Sequence, residues 1–143
     1  MARGSSGVER ALVLLSGGID SAVALYWALS KGWEVRTLEF EYYQRPHRES
    51  SACRKLRKRI GIDKPLILPL GFIREVTDVD KNDLVGTFWR GAPQGYIPSR
   101  NLFFYSFAAH YAEISGVRYI VGGHNRGDWA ERRESYVNFL NSL

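Results

Sequence analysis

Ala11-Leu12-Val13-Leu14-Leu15-Ser16-Gly17-Gly18-Ile19-Asp20-Ser21 is the stretch on which the fold turns. Its first five residues form the short, unbroken apolar run expected of a strand buried on both faces. Gly17-Gly18 interrupts that run, and residues 20–30 then supply a helix-forming stretch dense enough in apolar residues to be largely buried. Gly32 lies where a helix C-terminal glycine is expected. The unit is therefore strand, glycine turn, helix.

Outward from it the alternation continues. Val35-Arg36-Thr37-Leu38-Glu39-Phe40 alternates apolar and polar residues, a second strand. Residues 49–60 read as a helix, with Ala52, Leu56 and Ile60 spaced by four and Gly61 as its stop. Residues 65–70 predict a third strand, residues 101–115 an apolar helix ending at Gly116, and residues 118–121 a fourth strand. Residues 131–143 read as a final amphipathic helix. Residues 71–98, punctuated by Gly86, Gly91, Pro93, Gly95 and Pro98, predict a lid, a binding loop or a partly disordered segment. Strands alternating with helices predict an α/β, Rossmann-like open parallel sheet with helices on both faces. Ligands of such sheets bind beyond the carboxyl ends of the strands, near the switch point of the topology. That singles out residues 16–21, 41–47 and 122–128.

The first turn suits an anion. Ser16, Gly17 and Gly18 have little or no side chain, so backbone N–H groups can approach phosphate closely. The following helix aims its positive end at the same place, and Ser16 and Ser21 add hydroxyls. Asp20 would repel bare phosphate, so it suggests a bridging Mg²⁺, which prefers oxygen ligands. A plain glycine turn with Asp20 or Ser21 capping the helix is the alternative. No Gly-Lys-Ser/Thr follows the glycines, which disfavours the Walker A loop and γ-phosphate transfer.

Ser16-Gly17-Gly18-Ile19-Asp20-Ser21, after a buried strand and opening a helix, resembles the SGGxDS signature of the PP-loop (N-type ATP pyrophosphatase) superfamily. Its members cleave ATP between the α and β phosphates and adenylate an acceptor oxygen. The resemblance implies an adenine nucleotide α-hydrolase-like fold, with Leu15, Ser16, Gly17, Gly18, Asp20 and Ser21 at the nucleotide. Two further segments are similar to one member, the 7-cyano-7-deazaguanine synthase family of queuosine and archaeosine biosynthesis. Tyr42-Tyr43-Gln44-Arg45-Pro46-His47-Arg48-Glu49 resembles its Tyr-Gly-Gln-Arg-His…Glu, with Tyr43 in place of glycine and Pro46 inserted. Tyr96-Ile97-Pro98-Ser99-Arg100-Asn101 is similar to its Tyr-Val-Pro-Gly-Arg-Asn, with Ser99 in place of glycine. Pro98 fixes the approach to the helix, Ser99 is a candidate cap, and Arg100 offers a fork for phosphate or carboxylate. After the fourth strand, Gly122 and Gly123 would let a base or substrate edge lie against backbone. His124 reads as a loop histidine, and Asp128 as a further candidate for the metal or substrate site.

The resemblance implies an ATP-dependent carbon–nitrogen ligase. A carboxylate of 7-carboxy-7-deazaguanine attacks the α phosphate, releasing pyrophosphate; ammonia then displaces AMP to give an amide, and a second activation dehydrates it to the nitrile. Asp20, Arg45, His47 and Arg100 are the expected catalytic residues, with ATP and Mg²⁺ as cofactors. The family pattern continues with a Tyr-Pro-Asp-Cys segment and a four-cysteine zinc cluster, whereas residues 129–143 contain no cysteine. Zinc is thus expected for the family but has no ligands in this chain. The expected organisation is a flexible leader at 1–9 and a PP-loop ATP-binding domain at 10–143, without the family's C-terminal extension. A homo-oligomer is expected. The alternatives are another PP-loop enzyme acting on tRNA and a non-catalytic ATP-binding module.

Bulk properties fit this reading. The 143 residues suffice for one domain with one core. An apolar fraction of 45% and a charged fraction of 24% are ordinary for a soluble globular protein, and no apolar run reaches membrane-span length. The single cysteine, Cys53, excludes an internal disulfide within the chain, and a cytoplasmic location follows as the default. Much of the net charge of +5 comes from residues 45–59, which suits either a solvated helix face or an anionic partner.

Overall fold

A computed structural model describes residues 7–42, 45–62, 64–73, 97 and 99–124. Among these described residues seven elements follow one another: β1 (Arg10–Leu14), α1 (Ile19–Ser30), β2 (Glu34–Tyr42), α2 (His47–Ile60), β3 (Leu66–Leu70), α3 (Arg100–Ser115) and β4 (Tyr119–Val121). The four strands form one parallel sheet in the order β3-β2-β1-β4. Val13 sits opposite Thr37 on one side and Val121 on the other. The chain steps outward from β1 to β3 and returns to pair β4 with the free side of β1. The order reverses between β1 and β4, so the loops leaving those strands border the switch point. The expected final helix at 131–143, Asp128, and nearly all of the expected lid lie outside the described residues.

Both sheet faces are covered. Leu12, Leu14, Leu38, Phe40 and Leu70 pack with Ala108 and the aromatics of α3. Val13 and Leu15 pack on the other face with Leu25, Ala28 and Cys53 from α1 and α2. This double cover explains a feature of β2 that alternation did not predict. Thr37 and Glu39 are as buried as Leu38 and Phe40, because β2 has no solvated face. Glu39 survives burial by accepting a 2.7 Å hydrogen bond from Arg57 Nε. Pro69 is tolerated in β3 because, among the described residues, that strand is an edge.

The helix stops fall where glycine predicts them. Gly61 and Gly116 both take the left-handed conformation, and their N–H groups close on Arg57 O and Ala112 O. One expectation needs correction: α1 is not largely buried. Ser21, Ala24, Leu25 and Ala28 face the core, while Ile19, Val23, Tyr26 and Trp27 are exposed, Ile19 at 83%. The helix is apolar on several sides, but only one side meets the sheet.

Ser99 occupies the N-cap position of α3 but makes no side-chain capping bond, and its φ of 57° is left-handed. That conformation costs a residue with a Cβ about 1–2 kcal/mol, which accounts for glycine at this place in the similar family. Ser99→Gly is expected to raise stability by about 0.5–1 kcal/mol, part of the relief being lost to chain entropy. A higher urea midpoint at constant m would register it; a lower midpoint would contradict it.

Candidate active site

The turn after β1 braces itself. Ser21 Oγ donates to Gly18 O at 2.9 Å and accepts from Ser16 N at 3.2 Å and from Ser16 Oγ at 3.1 Å. Gly18 N in turn donates to Ser16 Oγ at 3.3 Å. A hydroxyl has one proton to give, so both serine side chains are engaged in shaping the loop. Neither Asp20 nor Ser21 is the N-cap of α1; Gly18 holds that position. The first helical bond runs from Ala22 N to Gly18 O at 3.1 Å. The first N–H groups of any helix point outward from its N-terminus, which is the usual basis of an anion site.

Two glycines let other backbone close around this turn. Gly17 has a φ of 94°, and a Cβ there would collide with the backbone carbonyl of Glu49 in α2. Gly123 leaves β4 against the start of α1, where a Cβ would lie 2.5 Å from Asp20 C and 2.6 Å from Ser21 N. A Cβ on Gly122 would collide with the Tyr105 hydroxyl of α3. The loops after β1 and β4 and the N-terminus of α2 therefore meet at the carboxyl edge of the sheet.

The remaining candidates are placed as follows. Asp20 is exposed in the first turn of α1. His47 is exposed as the first residue of α2, two positions from the Glu49 backbone that touches Gly17. Arg100 opens α3, with its guanidinium 6.0 Å from the Tyr42 ring and 5.9 Å from the Phe104 ring. Burial raises the Tyr42 phenol; the Arg100 charge pulls the other way, and the Glu49 charge adds to the rise. Leu15 is buried, and its carbonyl accepts the Cys53 thiol at 3.6 Å.

Arg45 turns inward. Its side chain is 3% exposed, and Nη1 donates to Phe40 O and Glu41 Oε1, both at 2.9 Å. Nη2 donates to Ser16 O at 3.1 Å and Cys53 Sγ at 3.4 Å. Its Nε lies 3.9 Å from Glu49 Oε2. Arg45, expected from sequence as a catalytic residue and as part of the basic run, instead takes Glu41, Glu49 and Cys53 as partners, which the sequence did not indicate. Four-residue spacing signals only that Glu49 and Cys53 share one face of α2; Glu41 lies in β2 and Arg45 precedes the helix, so their approach depends on the chain turn between them. Of that run Arg45 and Arg57 point inward, while Arg48, Arg54, Lys55, Lys58 and Arg59 are exposed.

Metal chemistry divides cleanly. Among the described residues no group of three or more His, Cys, Asp or Glu is arranged to hold a metal ion. Mg²⁺ needs no such cage: one carboxylate and phosphate oxygens suffice, which Asp20 beside an anion turn fits. Zinc does not fit, because Cys53 is fully buried and burial, then the Glu39 charge, push its thiol up to about 11.

A family model described as queuosine biosynthesis protein QueC matches residues 10–143. The chain belongs to the QueC family. Similar relatives carry the name 7-cyano-7-deazaguanine synthase. The one from Thermoplasma acidophilum is 33% identical over 141 residues, covering 94% of this chain and 59% of the relative. The one from Pseudomonas fluorescens is 32% identical over 141 residues, covering 94% and 60%. The one from Gluconacetobacter diazotrophicus is 39% identical over 135 residues, covering 85% and 54%. The chain thus spans less than two thirds of the length of these QueC relatives. Among the described residues no helix is long and apolar enough to cross a membrane.

Proposed function

We propose that residues 10–143 form a PP-loop ATP-binding domain, and that the chain serves ATP-dependent conversion of 7-carboxy-7-deazaguanine and ammonia to 7-cyano-7-deazaguanine. The observation that carries this reading is the braced turn at residues 16–21, closed by Gly17 against α2 and Gly123 against α1. The triphosphate of ATP lies along the N–H groups of that turn. Asp20 would hold Mg²⁺ together with phosphate oxygens, and the ion would supply neutralisation of phosphate charge. Gly122 and Gly123 form the wall across the switch point. Arg100, in the first turn of α3, brings positive charge toward the α phosphate as the substrate carboxylate attacks it, and His47, in the first turn of α2, offers a ring N–H donor. No protein nucleophile is needed; the residues position two substrates and stabilise developing charge.

The test is the product. ATP, Mg²⁺, 7-carboxy-7-deazaguanine and ammonium are incubated with the protein and the nucleotides resolved by chromatography. The expected products are AMP and pyrophosphate. ADP as the main product would defeat the α–β cleavage reading. AMP formed with tRNA but not with the deazaguanine acid would keep the nucleotide chemistry and defeat the substrate.

A further inference from the structure

Arg45 stands where it cannot do what a phosphate-facing arginine does. A guanidinium has five N–H donors in a fixed fork and no acceptor. Here that fork is inside the protein, spent on Phe40 O, Glu41, Ser16 O and Cys53 Sγ, with Glu49 also beside Nε. Two carboxylates flank it, so little positive field is left over for an anion outside. What the fork does reach is the carbonyl of Ser16, the first residue of the turn. The same side chain holds the exit of β2 through Phe40 O and the body of α2 through Cys53 Sγ. The Cys53 thiol, in turn, donates to the carbonyl of Leu15, one residue before the turn.

We infer that Arg45 is a positioning residue that acts through the Ser16 carbonyl and makes no contact with the nucleotide. With that carbonyl drawn inward, the N–H of the same trans peptide, that of Gly17, points the opposite way. Gly17 completes the lock, because α2 can close on the loop only where no Cβ intervenes. The inference deepens the phosphate-loop reading above and rests on it for its functional consequence. The clamp itself is a property of the free protein.

The test therefore begins without nucleotide. Arg45→Lys keeps the charge but loses the fork, so one ammonium cannot bridge the four acceptors. The amides to follow by hydrogen exchange are Ser16, Gly18 and Ala22, each hydrogen-bonded within the turn. They are expected to exchange about tenfold faster, while Val117, bonded to Ala112 O at the far end of α3, is unchanged. In turnover, KM for ATP is expected to rise about tenfold. A merely structural role would reduce the amount of active protein, lowering kcat with KM unmoved. Unchanged turn amides with weakened ATP binding would mean direct contact and would overturn the inference. Should Arg45→Lys not fold, Glu41→Gln loosens the same fork from its acidic partner and must speed the same three amides. If the parent protein binds no ATP, the phosphate-loop reading fails, and the exchange result alone still decides the clamp.

Discussion

Asp20→Asn is expected to lower ATP turnover about a thousandfold, equivalent to about 4 kcal/mol at the transition state, while leaving the fold almost untouched. The substitution keeps shape and removes charge. Asp20 is exposed in the first turn of α1, where a carboxylate gains about 0.3–1 kcal/mol from the helix dipole. A magnesium ligand, by contrast, acts on the charge that develops on the phosphates during reaction. The two roles separate by measurement: melting follows the small term and kcat the large one. The residual activity of the variant should also need far more Mg²⁺, since a neutral amide is a weaker ligand than a carboxylate. A variant that melts about 1 kcal/mol lower and turns over normally would reduce Asp20 to a helix-terminus residue and remove the metal from the proposal.

The framework was legible because it rests on few physical signals. An unbroken apolar run marked β1 as a central strand, and the structure places it between β2 and β4. Glycines marked the ends of α2 and α3, and both are left-handed there. Strand and helix bounds moved by one or two residues, as for α2, which begins at His47 rather than Glu49. Directions of side chains were not legible. Seven cations between residues 45 and 59 read as one basic run, yet Arg45 and Arg57 turn back to acids of β2, the half-exposed Glu41 and the buried Glu39. Composition counts charges but does not say which neighbour a helix turns them toward. The same limit hid the outer side of α1, whose Ile19, Val23, Tyr26 and Trp27 look no different in sequence from its buried residues. The serines of the turn read as donors to a ligand, whereas their protons go to each other and to Gly18 O.

The glycines of the turn offer the sharpest comparison within the molecule. Gly17 and Gly32 both have positive φ, 94° and 72°, so alanine at either must adopt a backbone that L side chains disfavour. They differ in what surrounds them. A Cβ on Gly32 meets nothing within 4 Å, whereas one on Gly17 meets the Glu49 carbonyl oxygen, carbon and Cα. Backbone in the first turn of a helix cannot swing aside as a side-chain tip can. Gly32→Ala is thus expected to cost about 1–2 kcal/mol, the conformational penalty alone. Gly17→Ala adds the displacement of α2 from the loop and is expected to cost about 3 kcal/mol or more. It should also weaken ATP binding about a hundredfold, because the turn must move to admit the methyl group. Denaturant midpoints and nucleotide titrations of the two variants supply the comparison. Gly32→Ala corrects for strain, so the difference between them reports the close approach of α2. If both lose the same stability and both bind ATP like the parent, the packing of Glu49 on Gly17 has no part in holding the phosphate loop.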